Sequence, residues 1–268
     1  MAEADKLFAG SIPEIYDRHL GPLIFEPYAR DLAGRMAGTG GLIVETAAGT
    51  GVLTRALVEA VAPDATVTAT DLNQPMLDHA AQQLVAPRLS WRQADALRLP
   101  FEDGDVDVVV CQFGAMFFPD KVAGYREARR VLRPGGRFLF SVWDRLEENE
   151  ITAAVHEAVA DLFPDDPPSF LARAPHGYHD AARIREDLRA AGFEHVALET
   201  VTFRGRAPSA ADPAIGFCQG CPLRHEIEGR DAGRLDEVTG LVTGEVARRF
   251  GRGPIEGRLQ AHVITARA

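Results

Sequence analysis

Seven residues, Glu45-Thr46-Ala47-Ala48-Gly49-Thr50-Gly51, constrain this chain more than any other stretch. They stand between an apolar run at Gly41–Val44 and a helical pattern at Val52–Val61. Side chains without bulk let the backbone pass close beneath a ligand, and the first turn of a helix offers N–H groups that have no partner inside the helix. Strand, small-residue turn and helix in this order make a cofactor cradle. A dinucleotide fingerprint needs a third glycine three positions after the second, where helix and strand pack closely. Counting from Gly49 and Gly51, that position is Thr54, so the nicotinamide reading loses its third element.

The spacing downstream repeats the unit. A second strand candidate, Ala65–Thr70, ends at Asp71, and Asp71-Leu72-Asn73-Gln74-Pro75-Met76 leads into another helix. An acid at that tip can take two charge-assisted hydrogen bonds from ribose hydroxyls, a device that nicotinamide enzymes share. A third strand candidate, Leu89–Gln93, reaches Ala94-Asp95-Ala96, and a fourth includes Val106–Val110 and leads to Cys111-Gln112-Phe113-Gly114-Ala115-Met116-Phe117-Phe118-Pro119-Asp120. Leu132-Arg133-Pro134-Gly135-Gly136 then marks a helix end and a tight turn before a strand running from Arg137 to Val142.

This ordered series resembles the class I S-adenosylmethionine-dependent methyltransferases, in the branch similar to the ubiquinone and menaquinone biosynthesis methyltransferases. There an alanine at the position of Ala47 is not unusual. The resemblance covers residues 40–145. It implies S-adenosylmethionine as cofactor, S-adenosylhomocysteine as product, and cofactor contacts at Tyr16, Glu45, Thr46, Ala47, Gly49, Gly51, Asp71, Leu72, Met76, Asp95, Ala96 and Gln112. Asp95 would meet the adenine amino group, and Glu45 would lie beside the amino acid end of the cofactor. Phe113 and Met116 would wall the acceptor pocket, while at least one of Phe117 and Phe118 is expected in the core.

Alternating strands and helices predict an α/β fold: a doubly wound, mostly parallel, seven-stranded Rossmann-like methyltransferase sheet with helical cap insertions. Ligands in such sheets bind beyond the C-terminal strand ends, where Glu45, Asp71, Asp95 and Gln112 would form one rim. The expected organisation is an N-terminal cap at 1–40, a cofactor-binding core at 41–145, a cap helix and completion of the core at 146–203, a helical insertion acting as substrate lid at 204–258, and a final strand at 259–268. Ile12–Tyr16 and Leu20–Ala37 read as two helices broken around Gly21-Pro22. The insertion carries helical stretches near Pro213–Glu228 and Leu235–Phe250.

Composition narrows the partners. With 29 Lys and Arg against 39 Asp and Glu, the net charge of −10 argues against nucleic acid, which asks for a concentrated basic surface. No run of about 18 apolar residues calls for a membrane span, and the first twenty residues lack the pattern of a secretory signal. Three cysteines, Cys111, Cys218 and Cys221, form no complete paired framework, which suits the cytoplasm. Cys218-Gln219-Gly220-Cys221 lacks a second ligand pair, so no metal site is expected and a helix boundary before Pro222 is the preferred reading.

Methyl transfer needs no triad or metal, because the cofactor carries the chemistry and the protein aligns the acceptor. A hydroxyl acceptor would profit from a general base. His19, His156, His176 and His179 fall in cap segments, but no motif selects one, so the catalytic assignment stays empty. The expected function is methyl transfer to a small-molecule acceptor, with a homodimer compatible. The alternatives are a non-methylating cyclase or isomerase holding the same cofactor, a noncatalytic binding module, and a nicotinamide oxidoreductase.

Overall fold

The structure is a computed structural model and describes residue 5 and residues 8–268. Its first residues therefore fall partly outside the N-terminal cap that can be described.

Seven strands form a single sheet: β1 (Leu42–Glu45), β2 (Thr66–Asp71), β3 (Leu89–Gln93), β4 (Val106–Gln112), β5 (Leu132–Trp143), β6 (His195–Ala207) and β7 (Ile255–Arg267). The order across the sheet is β3-β2-β1-β4-β5-β7-β6. The first five strands pair in parallel, and β7 enters antiparallel between β5 and β6. The central strands are nearly continuous apolar runs, as a sheet covered on both faces demands: Val106, Val108, Val109, Val110 and Cys111 are all buried. The sheet reverses its winding at β1, between β2 and β4, which is where such sheets open a crevice at the strand tips.

The helices are α1 (Ile12–Ile15), α2 (Glu26–Arg35), α3 (Val52–Ala60), α4 (Gln74–Gln83), α5 (Lys121–Val131), α6 (Glu150–Leu162), α7 (Phe170–Arg173), α8 (Ala181–Ala190), α9 (Ala211–Gln219), α10 (Leu223–Arg230) and α11 (Leu235–Phe250). Between α1 and α2 the chain does not break. Tyr16–Phe25 winds as a wide π-type helix containing Pro22, closed at its end by the Glu26 N–H on the Gly21 carbonyl. Proline lacks the N–H of a normal turn and crowds the carbonyl four residues back, and a wider turn relieves both. The expected helix break at Gly21-Pro22 is thus corrected to a change of pitch.

The Pro-Gly-Gly turn is also more than a connector. Val106 pairs with Leu132 and Val108 with Arg137, so Arg133–Gly136 form an outward bulge inside β5 rather than preceding it. Gly135 has φ of +80°, and a Cβ on Gly136 would stand 3.0 Å from the Asp107 carbonyl oxygen, so both positions require glycine. Strands β6 and β7 pair along thirteen residues, from His195 against Arg267 to Ala207 against Ile255, beyond the expected limits of Phe203 and Leu259. The helices between them, α9 to α11, occupy most of the expected insertion. Cys218 and Cys221 lie at the α9–α10 boundary with buried thiols, each pushed up to about 12 by burial.

Candidate functional site

At the tip of β1 the chain turns through Ala47, φ +54°, and Gly49, φ +56°, and enters α3 through Gly51, φ +79°. A Cβ on Gly51 would lie 2.9 Å from the Trp91 ring, so helix, turn and β3 meet there at glycine's distance. On the other side, a Cβ on Gly114 would stand 2.3 Å from that of Ala47. Ala47 and Phe113, φ +52°, are the two non-glycine residues with left-handed backbone among the described residues, and both border the same cleft. Such conformations cost of order 1–3 kcal/mol and collect where a site is built.

The cleft holds about 870 Å³ of space, counting its open mouth. Of the residues expected at the cofactor, Tyr16, Ala47, Gly49, Asp71, Leu72, Met76, Asp95, Ala96 and Gln112 line it together. Asp71 stands at its centre, only 7 % exposed. Its two carboxylate oxygens accept the backbone N–H groups of Gly49 at 2.9 Å and Asn73 at 2.8 Å. Burial raises its pKa, and these N–H groups oppose the rise. Asp95 is exposed, with one oxygen held by the Leu97 N–H at 2.9 Å. The Gln112 amide donates to the Phe25 carbonyl at 2.7 Å, tying the tip of β4 to the N-terminal helix.

Three expected cofactor residues lie elsewhere. Glu45 is 1 % exposed and sits beneath the turn, where its Oε2 accepts the Thr54 hydroxyl at 2.6 Å. Burial pushes its pKa up to about 8. Thr46 is buried beside Cys111, whose thiol burial pushes up to about 11 against the opposing hydrogen bond with Thr46. Gly51 shapes the turn without facing the cleft. The strand-end acid therefore braces the cradle from below, with Thr54 as its partner.

The cleft also contains residues not expected at the cofactor: Phe8, Asn73, Leu97, and Phe117 and Phe118, of which Phe118 is buried as expected. Asn73 belongs to the Asp71-Leu72-Asn73 run, and its side-chain oxygen accepts the Phe8 N–H at 3.3 Å, which brings the N-terminal segment across the opening. Asp17 fastens the wide helix over the cradle. Its carboxylate takes hydrogen bonds from Thr50 at 2.9 Å and Arg55 at 3.0 Å and lies 3.3 Å from His79.

A second compartment adjoins the first and shares Phe8, Tyr16, Phe113 and Phe117 with it. Its walls are aromatic: Tyr16 stacks on Phe25 at 4.9 Å, and Phe113 stacks on Trp143 at 3.7 Å and 4°. Phe217 and Cys221 close it from the inserted helices. Phe113 thus falls where an acceptor wall is expected. Met116 does not: it is 1 % exposed and borders a separate groove with Lys121 and Tyr178. The 3-10 turn Ala115–Phe117 rotates Met116 into the core and Phe117 into both compartments. Tyr28 is wholly buried, its hydroxyl donating to the Val201 carbonyl at 3.0 Å. Trp143 stands one residue past the expected strand end at Val142, and His176 is one of four cap histidines that no motif distinguishes.

Comparison with known proteins now bears on this geometry. Residues 44–140 match the family model described as a methyltransferase domain. The chain is similar to ubiquinone/menaquinone biosynthesis C-methyltransferases. It is 29 % identical to that of Caulobacter vibrioides over 180 residues, covering 61 % of this chain and 71 % of the relative. It is 31 % identical to that of Stutzerimonas stutzeri over 193 residues, covering 67 % and 74 %. Its fold is similar to that of Haemonchus contortus phosphoethanolamine N-methyltransferase 2 in complex with S-adenosyl-L-methionine. The TM-score is 0.61 at 15 % identity, over 95 % of this chain and 56 % of that one.

Proposed function

The chain belongs to the class I S-adenosylmethionine-dependent methyltransferases, and on that premise we propose that it methylates a small, largely apolar molecule held in the aromatic compartment. The observation that carries this reading is the shared wall: Phe8, Tyr16, Phe113 and Phe117 border both the cleft with the strand-tip acids and the aromatic compartment beyond it.

The residues of the cleft fit the cofactor. Asp71 offers a carboxylate already oriented by two backbone N–H groups, which would hold the ribose hydroxyls with little further ordering. Asp95 and the Ala96-Leu97 backbone would receive the adenine, with Leu72 and Met76 on its faces. Gly49, Ala47 and Gln112 would border the amino acid end. When bound, S-adenosylmethionine supplies an electrophilic methyl group and a thioether leaving group. Phe113 and Phe117 orient an apolar acceptor against the cleft, and the aromatic walls exclude water; alignment of this kind is worth up to about 7–11 kcal/mol in favourable cases.

Calorimetry with S-adenosylmethionine and S-adenosylhomocysteine tests the reading. A ligand at 100 times its dissociation constant adds about 2.7 kcal/mol of stability, and failure of both to bind would refute it. Release of S-adenosylhomocysteine on incubation with apolar acceptors separates methyl transfer from other chemistry run on the same cofactor. The same reading places the enzyme in the cytoplasm, which three buried free thiols suit. It also allows a homodimer, which light scattering coupled to gel filtration would detect. Among the described residues no helix is long and apolar enough to cross a membrane.

A further inference from the structure

Amid the aromatic walls of the second compartment stands one imidazole whose hydrogen bonding is fixed on one side only. His176 is 4 % exposed, and its Nδ1 lies 2.7 Å from the backbone carbonyl of Asp144. A carbonyl only accepts, so Nδ1 carries the proton and Nε2 is left with a bare lone pair. Among the described residues Nε2 has no hydrogen-bond partner, and the ring lines the compartment beside Trp143, 6.0 Å between ring centres.

The loop that carries the ring is held from behind by further bonds of this kind. Thr200 donates to His262 Nδ1 at 3.0 Å, His262 Nε2 donates to the His179 carbonyl at 2.9 Å, and His179 Nδ1 donates to the His176 carbonyl at 2.8 Å. Each tautomer is set by the carbonyl its own ring faces, because a carbonyl demands a donor. Gly177 completes the turn: a Cβ there would stand 2.1 Å from the Arg173 carbonyl oxygen. Burial also lowers the His176 pKa to about 4, so the ring is neutral at physiological pH.

We propose that His176 selects the acceptor, its Nε2 accepting a hydrogen bond from a hydroxyl carried by an otherwise apolar molecule enclosed by the aromatic walls. This rests on the methyl-transfer reading and adds the polar requirement that reading leaves open. Nε2 faces the open space of the compartment, and a bound molecule that covers it without donating leaves it unpaired at a cost, so the site rejects analogues that lack the donor far more strongly than it rejects a change in apolar size. Phenols and apolar alcohols meet the requirement; their methyl ethers do not. His179, His262 and Thr200 act as positioning residues, through the His176 loop.

The test is calorimetry on the full chain saturated with S-adenosylhomocysteine, titrated with a panel of small phenols and apolar alcohols, each paired with its methyl ether. Binding of hydroxyl members at least ten-fold tighter than their ethers is the expected result. Ethers that bind as well as the hydroxyl members, or a panel in which no hydroxyl member binds, would overturn the proposal. His176→Phe should erase the preference while keeping affinity for the ethers and for S-adenosylhomocysteine; a preference that survives this change also overturns it. Should that variant not fold, the wild-type comparison still decides, and Thr200→Val should weaken the preference by a smaller factor. Failure of S-adenosylhomocysteine itself to bind would strike the methyl-transfer reading instead, so the two failures are distinguishable.

Discussion

Thr54 Oγ1 donates a 2.6 Å hydrogen bond to Glu45 Oε2, and both side chains are buried. The position where a dinucleotide fold keeps glycine thus carries a hydroxyl whose task is to satisfy the acid under the turn. Thr54→Val keeps the shape and removes the donor. It should cost about 1–3 kcal/mol, the usual penalty for a buried polar group left unpaired. A thermal midpoint equal to that of the wild type would show that Glu45 finds another partner.

The same pair sets a pH dependence. Burial pushes Glu45 up to about 8, above its unfolded value of about 4.3. The folded chain therefore keeps a proton that the unfolded chain has lost. The stability this brings is full below about pH 4.3 and fades as pH rises through 8, at up to about 1.4 kcal/mol per pH unit. His176, pushed down to about 4, has the opposite sign: its contribution is complete above about pH 6.5 and is lost as pH falls toward 4. Between about pH 6.5 and 8 only the Glu45 slope remains of these two. Glu45→Gln should flatten it, as measured by denaturant unfolding at both ends of the window; identical slopes in the two proteins would exclude the assignment.

Asp71→Ala should weaken S-adenosylhomocysteine binding roughly 10- to 150-fold, since a hydrogen bond to a charged group is worth about 1.5–3 kcal/mol. Asp95→Ala should lose less, because Asp95 stands in solvent. Titration calorimetry reads both, and an unchanged dissociation constant for Asp71→Ala would remove it from the cofactor site.

Asp17 does not line the cleft, yet Thr50, Arg55 and His79 converge on its carboxylate. Asp17→Ala should loosen the wide helix, seen as faster hydrogen exchange across residues 12–25, and should shorten the residence of S-adenosylhomocysteine. Unchanged exchange in that segment would mean that Gln112 and the aromatic contacts hold the helix unaided.

Met116 and Phe117 separate packing from recognition. Met116→Ala opens a cavity in the core and should cost about 2–5 kcal/mol. Phe117→Ala, at a half-buried wall, should cost less stability but impair binding of apolar phenols. The reverse pattern would exchange the two roles.

The rim of the cleft was legible in sequence because each of its parts is local: a strand, a small-residue turn, and an acid or amide at a strand tip. Asp71, Asp95 and Gln112 fall where their strands end. Glu45 shares that placement, but its side chain follows Thr54 on the next helix, a choice that no spacing within β1 encodes. Pitch and length escaped for a similar reason. Gly21-Pro22 reads equally well as a break or as a widened turn, and Pro-Gly-Gly as a turn or as a bulge, until a neighbouring strand decides. The aromatic compartment was the least legible part. Phe8, Trp143, His176 and Phe217 come from four separate segments, and only the closed sheet and its cap bring them together.

The place of β7 between β5 and β6 also sets an order of events during synthesis. Residues 42–112 emerge early and contain the four strands whose tips border the cleft. The edges of β5 and β6 that face each other stay open until residues 255–267 leave the ribosome, and unpaired edges of this kind invite association with other chains. A nascent chain can therefore complete the strand tips around the cleft well before its sheet is closed, and loss of the last strand would leave the facing edges of β5 and β6 unpaired while sparing the order β3-β2-β1-β4-β5.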